Sequence, residues 1–245
     1  MKAGFVISMY DESEIVLDSI KKIRSYFLNK AIIVVVHSDN KENSSTLEQI
    51  IQYSNSYIKL ENLSQAHDEY TLPAAAICRN YSVGFSKLKN ILQEADVIVG
   101  LTGDTRIFDC KLLEKYFNNV KLQKVQGYVL RAIGQNFHKS TDSPSTGIGG
   151  NRLQTFKNND FMPQFFIFNG LLLTENSLFC KIKNTNKYTS EQSLGDEVQN
   201  KLGNKKFSDC IPILNSPVTY AYGFNSGVQL QVKGLGHTRK EYHKK

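Results

Sequence analysis

The sequence contains few cysteines and no long apolar run. Its 245 residues include four cysteines that lie far apart in the chain, at Cys78, Cys110, Cys180 and Cys210. They show neither the paired spacing of a zinc site nor the density of a disulfide scaffold. We therefore expect reduced thiols in a cytoplasmic protein.

Features of membrane-spanning and secreted proteins are also missing. No stretch approaches the roughly 18 unbroken apolar residues that a transmembrane helix needs. The apolar run at residues 3–8 is too short for a signal peptide and is soon followed by Asp11 and Glu12. We expect the chain to begin directly in its first structural element, and we find no internal repeats.

The composition is otherwise that of a globular protein with a surplus of positive charge. Hydrophobic residues make up 40% and charged residues 22%, which disfavours a disordered or fibrous chain. The net charge is +7, and basic residues cluster at 233–245. This charge suits a nucleoside diphosphate, an anionic glycan, a membrane surface or nucleic acid, or it is simply a solvated surface. Nucleic acid is disfavoured because the basic cluster holds a single aromatic residue, Tyr242.

Apolar runs alternate with helical patterns through the first half of the chain. Strands are predicted at four places: residues 3–8, 31–36, 56–61 and 96–101. Helices are predicted between them, near residues 15–27, 45–53 and 74–92. This alternation is typical of an α/β domain with a mostly parallel sheet, whose ligands bind beyond the carboxyl ends of the strands. We therefore expect loops 9–12, 37–43 and 102–106 to lie on one edge.

The second half is less regular. Strands are predicted at Val125–Ile133 and Phe165–Leu173, and a short helix at Gly195–Leu202. Residues 138–160 form a long polar loop, interpreted either as a lid or as disorder. Four closely spaced phenylalanines, Phe161, Phe165, Phe166 and Phe168, could stack on an acceptor sugar, but alternate members of the run are expected to fill the core.

We interpret the chain as one domain, residues 1–245. A nucleotide-binding half covers residues 1–110, an acceptor-side half covers 111–232, and a basic tail covers 233–245. The glycines at 147–150 follow no buried strand and lack the Lys-Ser/Thr of a phosphate-binding P-loop, so we interpret them as a hinge.

Asp104 directly follows the last predicted strand of the first half. A carboxylate at that edge can hold Mg²⁺ or Mn²⁺ against a diphosphate, because hard cations prefer oxygen ligands. The alternative is a turn aspartate that hydrogen-bonds its own backbone.

Arg79-Asn80 in a helix, followed by a strand ending in Thr102-Gly103-Asp104, resembles the GT-A glycosyltransferases. The resemblance is to the large inverting family that makes polysaccharides (glycosyltransferase family 2), in which this strand ends in Asp-x-Asp. Thr102 stands in place of the first aspartate, so one metal carboxylate of the family pattern is missing.

Three further segments extend the resemblance over residues 3–205. The loop containing Ser8, Tyr10 and Glu12 is similar to the family's nucleotide-contacting Tyr-Asn-Glu loop, and Asp39 matches its acidic residue near base or ribose. Residues 194–198 resemble the segment that supplies the catalytic base, with the two acids in swapped order. Glu197 corresponds to the base by position, and Asp196 is its competitor.

The resemblance implies transfer of a sugar from a nucleoside-diphosphate donor to an acceptor hydroxyl, on a glycan or another molecule, with inversion. A carboxylate deprotonates the acceptor, and positive charge stabilises the departing diphosphate. Mn²⁺ or Mg²⁺ at Asp104 and His237 would supply that charge. Further candidates for the nucleotide-sugar site are basic and loop residues: Arg79, Arg106, Arg239, Thr102 and Gly103.

These residues also have structural interpretations. Asp196 and Glu197 at the start of a helix would stabilise its dipole without catalysis. Arg79 can form a structural ion pair, and the tail around His237 can be a flexible, solvated segment. A membrane-surface partner would make the cytoplasmic protein peripheral.

Two other functions compete with sugar transfer. A nucleotidyltransferase that makes activated sugars shares the layout and the divalent metal, but it usually has a glycine-rich basic loop where this chain has residues 9–12. A non-catalytic binder of anionic glycan or nucleic acid would use the positive charge alone.

Overall fold

The structure is a computed structural model. It describes residues 1–10, 12–38, 44–60, 73–103, 105–107, 110–133, 159, 161–182, 190–220, 228–232 and 235–237. The predicted loop at 138–160, with its glycine hinge, lies outside the described residues except for Asn159.

The first half alternates strands and helices, as predicted. Its elements are β1 (Ala3–Met9), α1 (Ser13–Phe27), β2 (Ala31–His37), α2 (Ser44–Tyr53), β3 (Ser56–Lys59), α3 (Pro73–Ile91) and β4 (Val97–Thr102). A short 3-10 helix, Leu28–Lys30, leads into β2. All seven residues of β1 and all six of β4 are buried, which explains why their sequences are almost purely apolar.

The second half adds shorter elements. They are β5 (Thr105–Ile107), α4 (Cys110–Lys121), β6 (Gly127–Ile133), β7 (Met162–Asn169), α5 (Gly170–Thr174), α6 (Ser190–Leu202), α7 (Phe207–Cys210), β8 (Ile213–Tyr220), β9 (Val228–Val232) and β10 (Leu235–His237).

Two predicted elements of this half were wrong in extent. The strand expected to reach Leu173 ends at Asn169, whose side chain accepts a hydrogen bond from Leu171 N and caps α5. Helix α6 begins at Ser190, earlier than the predicted start at Gly195. Asp196 and Glu197 therefore lie in the helix interior, so the prediction that they sit at the start of a helix was wrong.

The described strands form one continuous order, β3-β2-β1-β4-β7-β6-β8-β9-β10-β5. Strands β3, β2, β1 and β4 are parallel, whereas β7 runs antiparallel to both β4 and β6. Strand β8 is parallel to β6, and the remaining pairs are antiparallel. The predicted fold class, a mostly parallel sheet with a mixed acceptor-side region, is confirmed.

The sheet separates two apolar layers, because successive side chains of a strand point to opposite faces. Phe5 and Phe165 pack with α1 and α4 in one layer. Val6, Phe166 and Phe168 pack with α3 and α6 in the other. Phe161, Phe165, Phe166 and Phe168 have no exposed surface. The prediction that these rings fill the core is confirmed.

Helix α3 crosses β1 at very close range. A Cβ atom placed on Gly84 would lie 2.3 Å from Val6 Cγ1 and 3.1 Å from Val36 Cγ2. Glycine is thus required where the helix touches the strands.

No described helix is long and apolar enough to cross a membrane. The four cysteines are free thiols, as expected.

Candidate active site

The loops that follow β1, β2 and β4 meet at the carboxyl edge of the sheet. Ser8 is in register with Val36 on one side and Thr102 on the other. Beyond the strand ends, Gly103 N donates a hydrogen bond to Ser8 O at 2.7 Å, and Ser38 N donates to Met9 O at 3.1 Å. The described parts of the three predicted ligand loops therefore lie together, as expected for a parallel sheet.

A buried asparagine joins two of these loops. Asn80, in the first half of α3, is 2% exposed, and its Nδ2 donates to Ser8 Oγ at 3.0 Å and to Ser38 Oγ at 3.1 Å. Its Oδ1 is buried and receives no hydrogen bond from any described residue. Asn80 thus fixes the ends of β1 and β2 to the start of α3, and Arg79 lies beside it, half-buried.

The carboxylate of Glu12 lies against the backbone of Gly103. Its Oε2 accepts a hydrogen bond from Tyr10 N at 2.9 Å. A Cβ atom on Gly103 would come within 2.5 Å of that same Oε2 and 3.2 Å from Met9 Cα. Glycine at position 103 therefore leaves the space that the Glu12 carboxylate occupies, and the loops after β1 and β4 interlock.

Thr102, which stands where the GT-A pattern has its first aspartate, is buried. It is 7% exposed, and its Oγ1 lies 3.2 Å from Thr105 Oγ1. Thr105 Oγ1 in turn donates to Gln164 O at 2.8 Å. The hydroxyl of Thr102 thus contributes to the connection between β4, β5 and β7.

The chain's last described strand returns to the same edge. Strand β10 pairs antiparallel with β5, with His237 in register with Thr105 and Gly236 with Arg106. The backbone of His237 therefore lies opposite the residue that follows Asp104. Asp39, Asp104 and Arg239 lie outside the described residues, and Arg106 and His237 are described by their backbone only.

The side chains of Asp196 and Glu197, both in α6, contact different parts of the protein. Asp196 Oδ1 accepts a hydrogen bond from Asn159 Nδ2 at 2.8 Å. Asn159 precedes β7, whose first half runs beside the end of β4, with Phe165 in register with Leu101. Asp196 is therefore hydrogen-bonded to the residue that precedes β7, and β7 enters the sheet beside the carboxyl end of β4.

Glu197 lies instead on the side of α6 that faces α3. Its Oε1 is 3.8 Å from Lys201 Nζ, and its side chain is 17% exposed. Its charge also acts on the thiol of Cys180, together with Lys89 and Lys201. The carbonyl of Cys180 accepts hydrogen bonds from Ser82 Oγ and Ser86 Oγ, beyond Asn80 along α3. Since a helix rises 1.5 Å per residue, Ser86 lies about 9 Å from Asn80 along the axis, away from the strand ends.

Comparisons with known proteins identify the fold but no family. No protein-family model matches the sequence, and no curated protein matches it. Solved structures do match. Staphylococcus aureus TarS 1–349 in complex with UDP-GlcNAc has a TM-score of 0.52 at 13% identity, over 91% of this chain and 60% of that chain.

A second match is glucosyl-3-phosphoglycerate synthase from Mycobacterium tuberculosis, in complex with Mn²⁺, UDP and glucosyl-3-phosphoglycerate. Its TM-score is 0.50 at 13% identity, over 87% of this chain and 69% of that chain. Our chain spans about three fifths of the length of TarS 1–349. At these identities the likeness shows a shared fold, that of GT-A glycosyltransferases.

Proposed function

We propose that the protein is a glycosyltransferase that moves a sugar from a nucleoside-diphosphate donor to an acceptor hydroxyl, with inversion. The observation that carries the proposal is the convergence of the loops after β1, β2 and β4 at one edge, fixed by Asn80 and by the contact of Glu12 with Gly103. Solved structures of the same fold hold UDP, UDP-GlcNAc or Mn²⁺.

In this proposal the nucleotide lies across loops 8–12, 37–40 and 102–106. Tyr10 is 39% exposed, and its backbone N–H is held by Glu12, so its aromatic side chain would contact the base or ribose. Asp39 follows the described end of the second loop. Arg79, Arg106 and Arg239 would offset the negative charge of the diphosphate, since guanidinium groups pair well with phosphate oxygens.

Asp104 and His237 would hold a divalent ion. The pairing of His237 with Thr105 supports this, because it brings an imidazole-bearing residue to the backbone next to Asp104. A carboxylate and an imidazole suit Mn²⁺. Within the part of the chain that the structure describes, no group of three His, Cys, Asp or Glu side chains is placed to hold a metal ion. When bound, the ion would neutralise charge on the leaving diphosphate.

Asp196 is the base that the contacts favour. The acceptor hydroxyl would give its proton to the Asp196 carboxylate while its oxygen bonds to the anomeric carbon and the bond to the diphosphate breaks. The hydrogen bond from Asn159 would orient that carboxylate. Glu197 would serve a structural role, since its charge faces Lys201 and the region of Cys180.

Calorimetric titration tests the proposal. UDP, GDP, CMP and dTDP are each titrated into the protein with Mn²⁺ and after chelation, in wild type and Asp104→Ala. We expect one nucleotide to bind selectively and to bind more weakly after chelation or substitution. The matched control is Asp18→Ala, which removes an aspartate paired with Lys22 on α1. Absence of binding by every nucleotide would overturn the proposal.

A further inference from the structure

His37 connects β3 to the loop that follows β1. It is the last residue of β2 and has no exposed surface. Its Nε2 lies 2.8 Å from Tyr10 O, and its Nδ1 lies 2.5 Å from the hydroxyl of Tyr57 in β3. The imidazole therefore reaches from the end of β2 to the backbone of Tyr10, just beyond the end of β1.

The contacts determine where the imidazole proton lies. A carbonyl oxygen only accepts hydrogen bonds, so the proton of the Tyr10 contact must be on Nε2. In the neutral ring, Nδ1 then accepts a hydrogen bond from the Tyr57 hydroxyl. This Nε2–H form satisfies both contacts at once, which matters because a buried polar group left without its partner destabilises the folded state.

Hydrogen bonds therefore fix both the N–H and the carbonyl group of Tyr10. Its N–H donates to Glu12 Oε2, and its carbonyl accepts from His37 Nε2. The Glu12 carboxylate in turn lies against Gly103. His37 thus stabilises one end of a chain of contacts that holds Tyr10 and Glu12.

We infer that His37 is a positioning residue for the nucleotide-binding turn, acting through the Tyr10 carbonyl with its ring oriented by Tyr57. The inference deepens the proposed function and rests on it for the identity of the ligand. It assigns His37 no contact with the nucleotide or the acceptor.

Two substitutions of His37 distinguish a residue that positions Tyr10 from one that only fills space in the core. The amide nitrogen of glutamine reaches the place of imidazole Nε2, whereas that of asparagine reaches the place of Nδ1. His37→Gln therefore keeps a donor toward Tyr10 O, and His37→Asn loses it, although both put an amide into the same buried site. Tyr57→Phe is a second way to weaken the contact, because it removes the hydroxyl that orients the ring through Nδ1.

The experiment measures UDP affinity in the presence of Mn²⁺ for wild type and the three variants, with hydrogen exchange of the Tyr10 amide as a second readout. We expect about tenfold weaker binding and faster exchange in His37→Asn, matching the loss of one hydrogen bond. We expect His37→Gln to stay within about threefold of wild type, and Tyr57→Phe to fall between. Thermal unfolding of each variant checks that it is folded. If His37→Asn does not fold, the UDP affinity and amide exchange of Tyr57→Phe decide whether the inference holds.

Equal effects of the glutamine and asparagine variants would overturn the inference, as would a ¹⁵N spectrum showing the proton on Nδ1 in wild type. If wild type binds no nucleotide, the proposed function fails. The exchange and ¹⁵N measurements then still decide whether His37 positions the turn.

Discussion

His237 and Thr105 lie opposite each other in an antiparallel strand pair, although they are far apart in the sequence. The pair joins the last described strand to the residue that follows Asp104. The C-terminal segment, expected from its composition to be a solvated tail, thus contributes a strand at residues 235–237 to the edge where the predicted ligand loops meet.

His237→Ala is expected to weaken Mn²⁺-dependent nucleotide binding by at least about tenfold, because it removes the imidazole that the proposed function assigns to the metal ion. Calorimetry with and without Mn²⁺ measures the effect, and binding after chelation should change little. His243→Ala removes another histidine from the same C-terminal region and serves as the control. The same loss in both variants would contradict a specific role for His237.

Asp196→Asn is expected to lower kcat by about 10²–10⁴, the usual contribution of a positioned general base. Glu197→Gln should change kcat only a few-fold, since its carboxylate faces Lys201. Release of the nucleoside diphosphate during transfer provides the measurement, and both variants should bind nucleotide as wild type does. A larger loss of kcat in Glu197→Gln than in Asp196→Asn would assign the base to Glu197 instead.

Gly84→Ala should destabilise the protein even though alanine favours helices. The helix preference contributes up to about 1 kcal/mol, whereas a Cβ atom 2.3 Å from Val6 Cγ1 forces overpacking that costs about 1–3 kcal/mol. Urea unfolding should therefore show a net loss. Asn200→Ala, at an exposed position of α6, is the matched control and should be neutral or stabilising.

Alkaline pH should reveal the partial burial of the Cys180 thiol. Burial raises the pKa of this thiol above its ordinary value of 9.0, outweighing the opposing effect of its hydrogen bond with Ser86. The unfolded chain then ionises first as the pH rises, so Cys180 stabilises the folded state below about pH 9 and loses that contribution above it. Unfolding free energies of wild type and Cys180→Ala should differ by a constant amount up to that pH and converge beyond it. Parallel curves across the whole range would contradict the raised pKa.

The sheet was predictable where strands are buried on both faces. Val34, Val35 and Val36 have no exposed surface, and their unbroken β-branched run indicated β2 correctly. The prediction failed at Leu171–Leu173 because apolar residues after a strand fit a helix equally well. The Asn169 cap, a local hydrogen bond, decided between the two.

The site was predictable only in part. The alternation of strands and helices indicated that the loops beginning at Ser8 and Thr102 would meet at one edge, and the structure brings these two residues into register. The roles of His37 and Ser38 were missed, because their contacts come from β3, α3 and the turn after β1. The polar residues that end the apolar run of β2 were the available signal.

The strand order has a consequence for biosynthesis. Strand β5 follows β4 along the chain but pairs only with β10 among the described strands, so its place in the sheet depends on the last described strand. A nascent chain can complete β1 through β4 while the ribosome is still adding β6 through β9. The edge between β5 and β10 forms only once residue 237 has left the exit tunnel, so this part of the sheet assembles after the parallel strands β1 to β4.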